Sequence, residues 1–183
     1  MEIDWEFEVG GGAPVIDARW PGFVDLHLEP ERIGEISEAA KFPPLSALLL
    51  ALNADDSSLW TSKCDFWQSE VSADSLPDAV LLACYIDLLP LAGEVFHQPN
   101  EAENFCRALV ACLEPVPIAY CAVELVIRSA VAGAREGFGV TAYLSAETAG
   151  QSEATQALTA AFAAFAAAAI NLPAPESPAS KIR

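Results

Sequence analysis

Positive charge is what this 183-residue chain has least of. Nine lysines and arginines stand against 26 aspartates and glutamates, a formal net charge of −17. Such a field repels phosphate backbones and anionic lipid surfaces, which argues against nucleic acid or a membrane as partner. Histidine is nearly absent, with only His27 and His97. The five cysteines, Cys64, Cys84, Cys106, Cys112 and Cys121, are odd in number and never spaced as CxxC. Zinc sites want close Cys/His pairs, and disulfide frameworks want an even, patterned set. The expectation is reduced thiols, no metal, no cofactor and a cytoplasmic location. A secretory leader would need a basic start and a continuous apolar run, and the first residues show neither. The longest uncharged run, residues 154–175, is mostly alanine with Thr, Gln and Asn interspersed, so it reads as a packed helix and not a membrane span.

Catalytic signatures are missing as well. The turn Gly10-Gly11-Gly12 joins two predicted strands, whereas a phosphate-binding loop leads into a helix N-terminus. Cys64 beside Asp65, or Cys84 near Asp87, lacks a nearby histidine in sequence and sits in acidic surroundings that oppose a thiolate. The pattern points away from an enzyme.

What is present is patterning. In Met1-Glu2-Ile3-Asp4-Trp5-Glu6-Phe7-Glu8-Val9, apolar residues take every odd position and carboxylates positions 2, 4, 6 and 8. Period-two alternation predicts a strand with one buried face and one wet face. Carboxylates on one such face stand roughly 6.6–6.8 Å apart, too flat a row to wrap a calcium ion. The charge is uneven along the chain: −9 over residues 1–56, −7 over 57–115 and −1 over 116–183.

After the glycine turn, residues 14–20 and 23–28 predict one strand bent at Pro21-Gly22, pairing with the first as a hairpin. Pro30-Glu31 opens a helical region, Pro43-Pro44 breaks it, and Leu45, Leu48, Leu49 and Leu52 restart it. Residues 59–68 predict a strand with Trp60, Cys64 and Phe66 on one side and Trp67 on the other. Residues 71–78 read as a loop. Residues 80–89 fit either a buried strand or a helix opened at Ser75–Asp78, and pairing with 59–68 favours the strand. A helix follows over residues 100–113, stopped by Pro115. Residues 118–131 alternate, with Cys121, Val123, Leu125 and Ile127 inward and Tyr120, Glu124 and Arg128 outward. Phe138 to Ser145 return with Thr141, Tyr143 and Ser145 outward. The last helix, capped by Thr148 or Ser152, carries a stripe of Leu158, Phe162, Phe165, Ala169 and Leu172.

The order is β-β-α three times over. It predicts an α+β fold, a mainly antiparallel six-stranded sheet with helices on one face. Residues 1–172 form one domain and residues 173–183, with three prolines, a disordered tail. The outer face of the final hairpin joins Tyr120, Glu124, Arg128, Thr141 and Tyr143, residue types enriched where proteins meet. Trp67 is a sixth candidate contact. The expected function is a non-enzymatic protein-binding module of adaptor, chaperone-like or immunity-like kind with a basic partner. The rival is a small-molecule binder or enzyme with a pocket near Pro43-Pro44.

Overall fold

Alternation at the N-terminus does build a strand, but its partner lies far along the chain. The computed structural model describes residues 1–70, 79–92 and 94–172. The strands are β1 (Glu2–Glu8), β2 (Val15–Asp17), β3 (Leu59–Glu70), β4 (Val80–Pro90), β5 (Cys121–Ala132) and β6 (Arg135–Thr148). They form one mixed, mostly antiparallel sheet in the order β1-β5-β6-β4-β3, with β2 on β5. The predicted loop at 71–78 and tail at 173–183 lie outside the described residues.

The expected hairpin between the first two strands does not form. β1 runs parallel to β5 from Glu2 opposite Ala122 to Glu8 opposite Arg128. β2 continues along the same edge, from Val15 opposite Ser129 to Asp17 opposite Val131. Gly10 and Gly12 have φ of 121° and 93°, so the loop bulges outward and returns the chain in its original direction. A twelve-residue β5 is longer than the seven-residue β1, and β2 fills the remaining edge.

The predicted strand over 14–28 is also shorter than expected. Beyond Asp17 the chain leaves the edge and crosses the sheet as an irregular strap. Ile16 and Ala18 are buried with Trp60, Leu89, Val95, Ala130 and Ala132, and Phe23 packs against that cluster. Pro21-Gly22, with Gly22 at φ 104°, turns the strap toward β3.

A short 3-10 helix (Pro30–Glu35) leads to α1 (Ser37–Lys41) and α2 (Pro43–Leu52). The proline pair opens α2, since proline fits the first turn, where its missing N–H costs nothing. α3 (Pro99–Leu113) starts where the Glu101 carboxylate accepts from the His97 and Gln98 N–H groups. α4 (Gln151–Ile170) begins at Gly150 without a side-chain cap, in place of Ser152 or Thr148. It is long and apolar enough to cross a membrane by composition. In this fold Leu158, Phe162, Phe165 and Ala169 are buried in the main core. That core also holds Leu45, Leu49 and Leu52 of α2 and Phe105 and Leu109 of α3. The sheet meets them with Leu82, Cys84, Ile86 and Leu88 of β4, Val123, Leu125 and Ile127 of β5, and Val140, Ala142 and Leu144 of β6.

One parity error has a local cause. Thr61 faces Leu88 and Cys64 faces Ile86, so β3 advances three residues while β4 advances two. This bulge flips the side-chain phase. Trp60 therefore leaves the side of Cys64 and Phe66 and joins the same face as Trp67, opposite Leu89 and Ala83 respectively. Ser62, inside the bulge, donates its hydroxyl to the Ala18 carbonyl at 2.8 Å and ties the strap down.

Candidate functional site

Residues opposite one another on neighbouring strands share a face, so register alone lays out the side away from the main core. One row runs across five strands: Asp4, Glu124, Tyr143, Tyr85 and Asp65. The row toward the ends of β1 and β3 farther from the strap is Glu2, Ala122, Ser145, Ala83 and Trp67. On the other side come Glu6, Val126, Thr141 and Asp87, then Glu8, Arg128 and Gly139 beside the strap.

Two tyrosines form the centre of this face, their ring centroids 5.9 Å apart. Carboxylates flank them on both sides, and Asp4, Glu124 and Asp65 are exposed. Asp4 and Glu124 sit directly opposite one another, a like-charge cross-strand pair that weakens the sheet locally. The face's own arginine is already committed. Arg128 donates to Glu8 Oε2 at 2.6 and 3.0 Å and to Thr141 Oγ1 at 3.2 Å, and its guanidinium lies 5.6 Å from the Tyr143 ring centroid. Thr141 in turn donates to Asp87 Oδ1 at 2.6 Å. The result is one chain of contacts, Glu8–Arg128–Thr141–Asp87.

Burial raises the Asp87 carboxyl above its ordinary value, although the Thr141 hydroxyl, Arg128 and Lys63 pull the other way. Burial also raises the Tyr85 phenol, with Asp87 and Asp65 adding to it, so Tyr85 stays a neutral donor. Burial disfavours the Arg128 charge, and the hydrogen bonds to Glu8 and Tyr143 outweigh that and raise its pKa.

Nucleophile chemistry finds no support. Burial pushes the Cys64 thiol up to about 12, with Glu38, Asp65 and Asp87 contributing. The Cys106 thiol also rises to about 12, again through burial. All five cysteines are free thiols. Among the described residues no group of three or more His, Cys, Asp or Glu side chains is placed to hold a metal ion.

At the β3 edge a cavity of about 530 Å³ opens beside this face. Trp20, Lys63, Asp65 and Tyr85 line it from the sheet and strap, and Glu35 and Glu38 from the helical side. Glu35 is engaged by Arg32 at 2.8 Å and Glu38 by Lys41 at 3.8 Å. The Lys63 ammonium lies 5.6 Å from the Trp20 ring centroid. Among the described residues the Trp20 indole N–H is a buried donor without a partner.

Of the six sequence candidates, Glu124, Arg128, Thr141 and Tyr143 are brought together on this face. Thr141 is fully buried and acts through Arg128 and Asp87. Trp67 shares the face at its β3 margin and is 38% exposed. Tyr120, 72% exposed with φ of 62°, stands just before β5 and apart from the tyrosine pair. Sequence reasoning missed Tyr85, Glu8, Lys63 and Trp20 as members of one region. A signal for Asp87 existed, since it is the single charge within an apolar ten-residue run and a buried carboxylate needs partners.

Comparison of the chain with family models, curated proteins and solved structures finds no match in any of the three.

Proposed function

We propose that this is an acidic, non-enzymatic protein-binding module whose uncovered sheet face receives a basic segment of a partner protein. The observation that carries it is the row Asp4–Glu124–Tyr143–Tyr85–Asp65. Two aromatic rings lie between carboxylates, and neither Asp4 nor Glu124 forms an ion pair among the described residues. A guanidinium or ammonium from a partner would relieve the repulsion between them and lie over a ring, an interaction worth about 0.5–2 kcal/mol. Arg128 against Tyr143 makes the same contact within the chain. A local rule broken on an uncovered surface is the kind of site where function offsets the stability lost.

The test is calorimetric titration with a blocked ten-residue peptide of alternating arginine and valine, beside its glutamate–valine counterpart. Binding of the arginine peptide alone, weakened by salt and by Tyr85→Ala with Tyr143→Ala, supports the reading. Equal heats for both peptides, or no binding at millimolar concentration, would remove it.

The rival, a small-molecule site, draws on the 530 Å³ cavity, which falls within the ordinary size of ligand pockets. It lies beside the 3-10 helix and α1, which precede the Pro43-Pro44 segment.

A further inference from the structure

We infer that the partner segment binds as an added strand along β3, with one basic side chain seated in the cavity beside it; this rests on the protein-binding reading above. β3 is the outermost strand of its side of the sheet. Past the bulge, residues 64–69 pair regularly with β4. Among the described residues their backbone makes one other hydrogen bond, from the Phe66 N–H to Asp65 Oδ1 at 2.8 Å, and none to another segment of the backbone. An unpaired edge is a template for another strand, and natural proteins normally blunt it with charge, covering or irregularity.

The opposite edge is treated in that way. β1 carries four carboxylates along seven residues, and Arg107 of α3 lies 4.9 Å from the Trp5 ring centroid beside it. Over residues 64–69, Cys-Asp-Phe-Trp-Gln-Ser, β3 has one charge and two large aromatics. Strand addition takes affinity from main-chain hydrogen bonds and specificity from pockets for alternate side chains. The cavity supplies such a pocket at the end of this stretch.

Charge selects the occupant. Glu35 and Glu38 already have basic partners, whereas Asp65 has no cation within 4 Å among the described residues. Asp65 and Tyr85 belong both to the cavity and to the central row of the open face. An arginine entering there would contact the Asp65 carboxylate and the Tyr85 ring, and a peptide carbonyl is the acceptor that the Trp20 N–H lacks. A second copy of this chain is a poorer occupant, because two bodies of net charge −17 repel.

Amide hydrogen exchange of the full chain, free and with the arginine–valine peptide, tests this. The inference expects the outward-facing alternate amides of residues 64–69, those not bonded to β4, to exchange fast in the free protein and to slow at least tenfold with the peptide. It also expects at least tenfold weaker binding by a peptide N-methylated at alternate residues, and weaker binding to Asp65→Asn. Protection of the outward-facing amides on either side of Phe66 before peptide is added would show the edge already covered by this chain and would overturn it. Tight binding of free arginine at the cavity, equal to the peptide's, would make the cavity a small-molecule site and likewise overturn it. Peptide binding that is lost on Asp4→Asn with Glu124→Gln, yet ignores N-methylation and leaves the outward-facing amides of 64–69 unprotected, would sink strand addition while sparing the protein-binding reading.

Discussion

The two halves of the sheet face turned away from the main core belong to the same strands and behave as different materials. At one end Gly139, Ala130 and Ala132 are small or lack side chains, and the strap lies on them with Ile16, Ala18 and Phe23. At the other end Tyr85, Tyr143 and Glu124 occupy the same face, and among the described residues no strap covers them. The Glu8–Arg128–Thr141–Asp87 chain runs along the boundary. Side-chain size thus decides where the sheet accepts a covering segment of its own chain, and the half left over is where a partner has room. Polar groups at the boundary are satisfied by one another, as burial demands.

Two tryptophans on one strand and one face make the sharpest contrast. Trp60 is 5% exposed, 5.5 Å from the Phe23 ring, and donates its indole N–H to the Pro90 carbonyl at 3.2 Å. Trp60→Ala should cost about 3–5 kcal/mol in chemical denaturation, the range for large aromatic truncations. A loss near zero would mean the strap contributes no packing.

Gly139 tests the same end by overfilling. A Cβ there would lie 2.8 Å from Ile16 Cδ1 and 3.2 Å from Leu89 Cδ2. Gly139→Val should destabilise by about 1–3 kcal/mol and loosen the strap, seen as faster exchange at the Ala18 amide, which now donates to the Val131 carbonyl.

The boundary comes next. Thr141→Val removes a hydroxyl that accepts from Arg128 and donates to Asp87, and should cost about 1–3 kcal/mol. Asp87 adds a pH signature. Burial raises its folded-state pKa above the ordinary 3.8, so the folded chain binds this proton more tightly than the unfolded chain does. Its contribution is therefore greatest below the ordinary value and is lost as pH rises through the folded one. Asp87→Asn keeps an acceptor for Thr141 and should gain on the natural chain between acid and neutral pH. A melting difference that does not change with pH would contradict the burial argument.

The smallest effect belongs to the free half. Trp67 is partly exposed at the margin, and Trp67→Ala should change stability by no more than about 0.5 kcal/mol while weakening a partner's hold.

How much of this was legible follows from which interactions are local. The alternation of residues 2–8 announces β1 and its wet face, and the spacing of Leu158, Phe162 and Phe165 announces α4's buried stripe, because both patterns repeat within one element. The outward parity of Glu124, Arg128, Thr141 and Tyr143 was readable for the same reason. The parallel docking of β1 on β5 was not, since Gly10–Gly12 permits either a reversal or a bulging loop and the choice depends on a strand over a hundred residues away. Nor was the face of Trp60 readable, because the extra residue between Thr61 and Cys64 has no marker such as glycine. Tyr85 and Tyr143 meet only once β4 and β6 are neighbours, and the strap's path depends on small residues distributed over two strands.

The central claim is that the strap-free half of the face draws in a basic partner through Asp4, Glu124 and Asp65. The most direct measurement is the association rate of the arginine–valine peptide by stopped flow, over a series of salt concentrations, for the natural chain and for Asp4→Lys/Glu124→Lys/Asp65→Lys. All three residues are exposed, so folding stability should be nearly unchanged, and steering should appear in the on-rate. The account predicts a rate for the triple variant lower by about tenfold or more at low salt, the two chains converging as salt screens the field. Equal rates at low salt would contradict it.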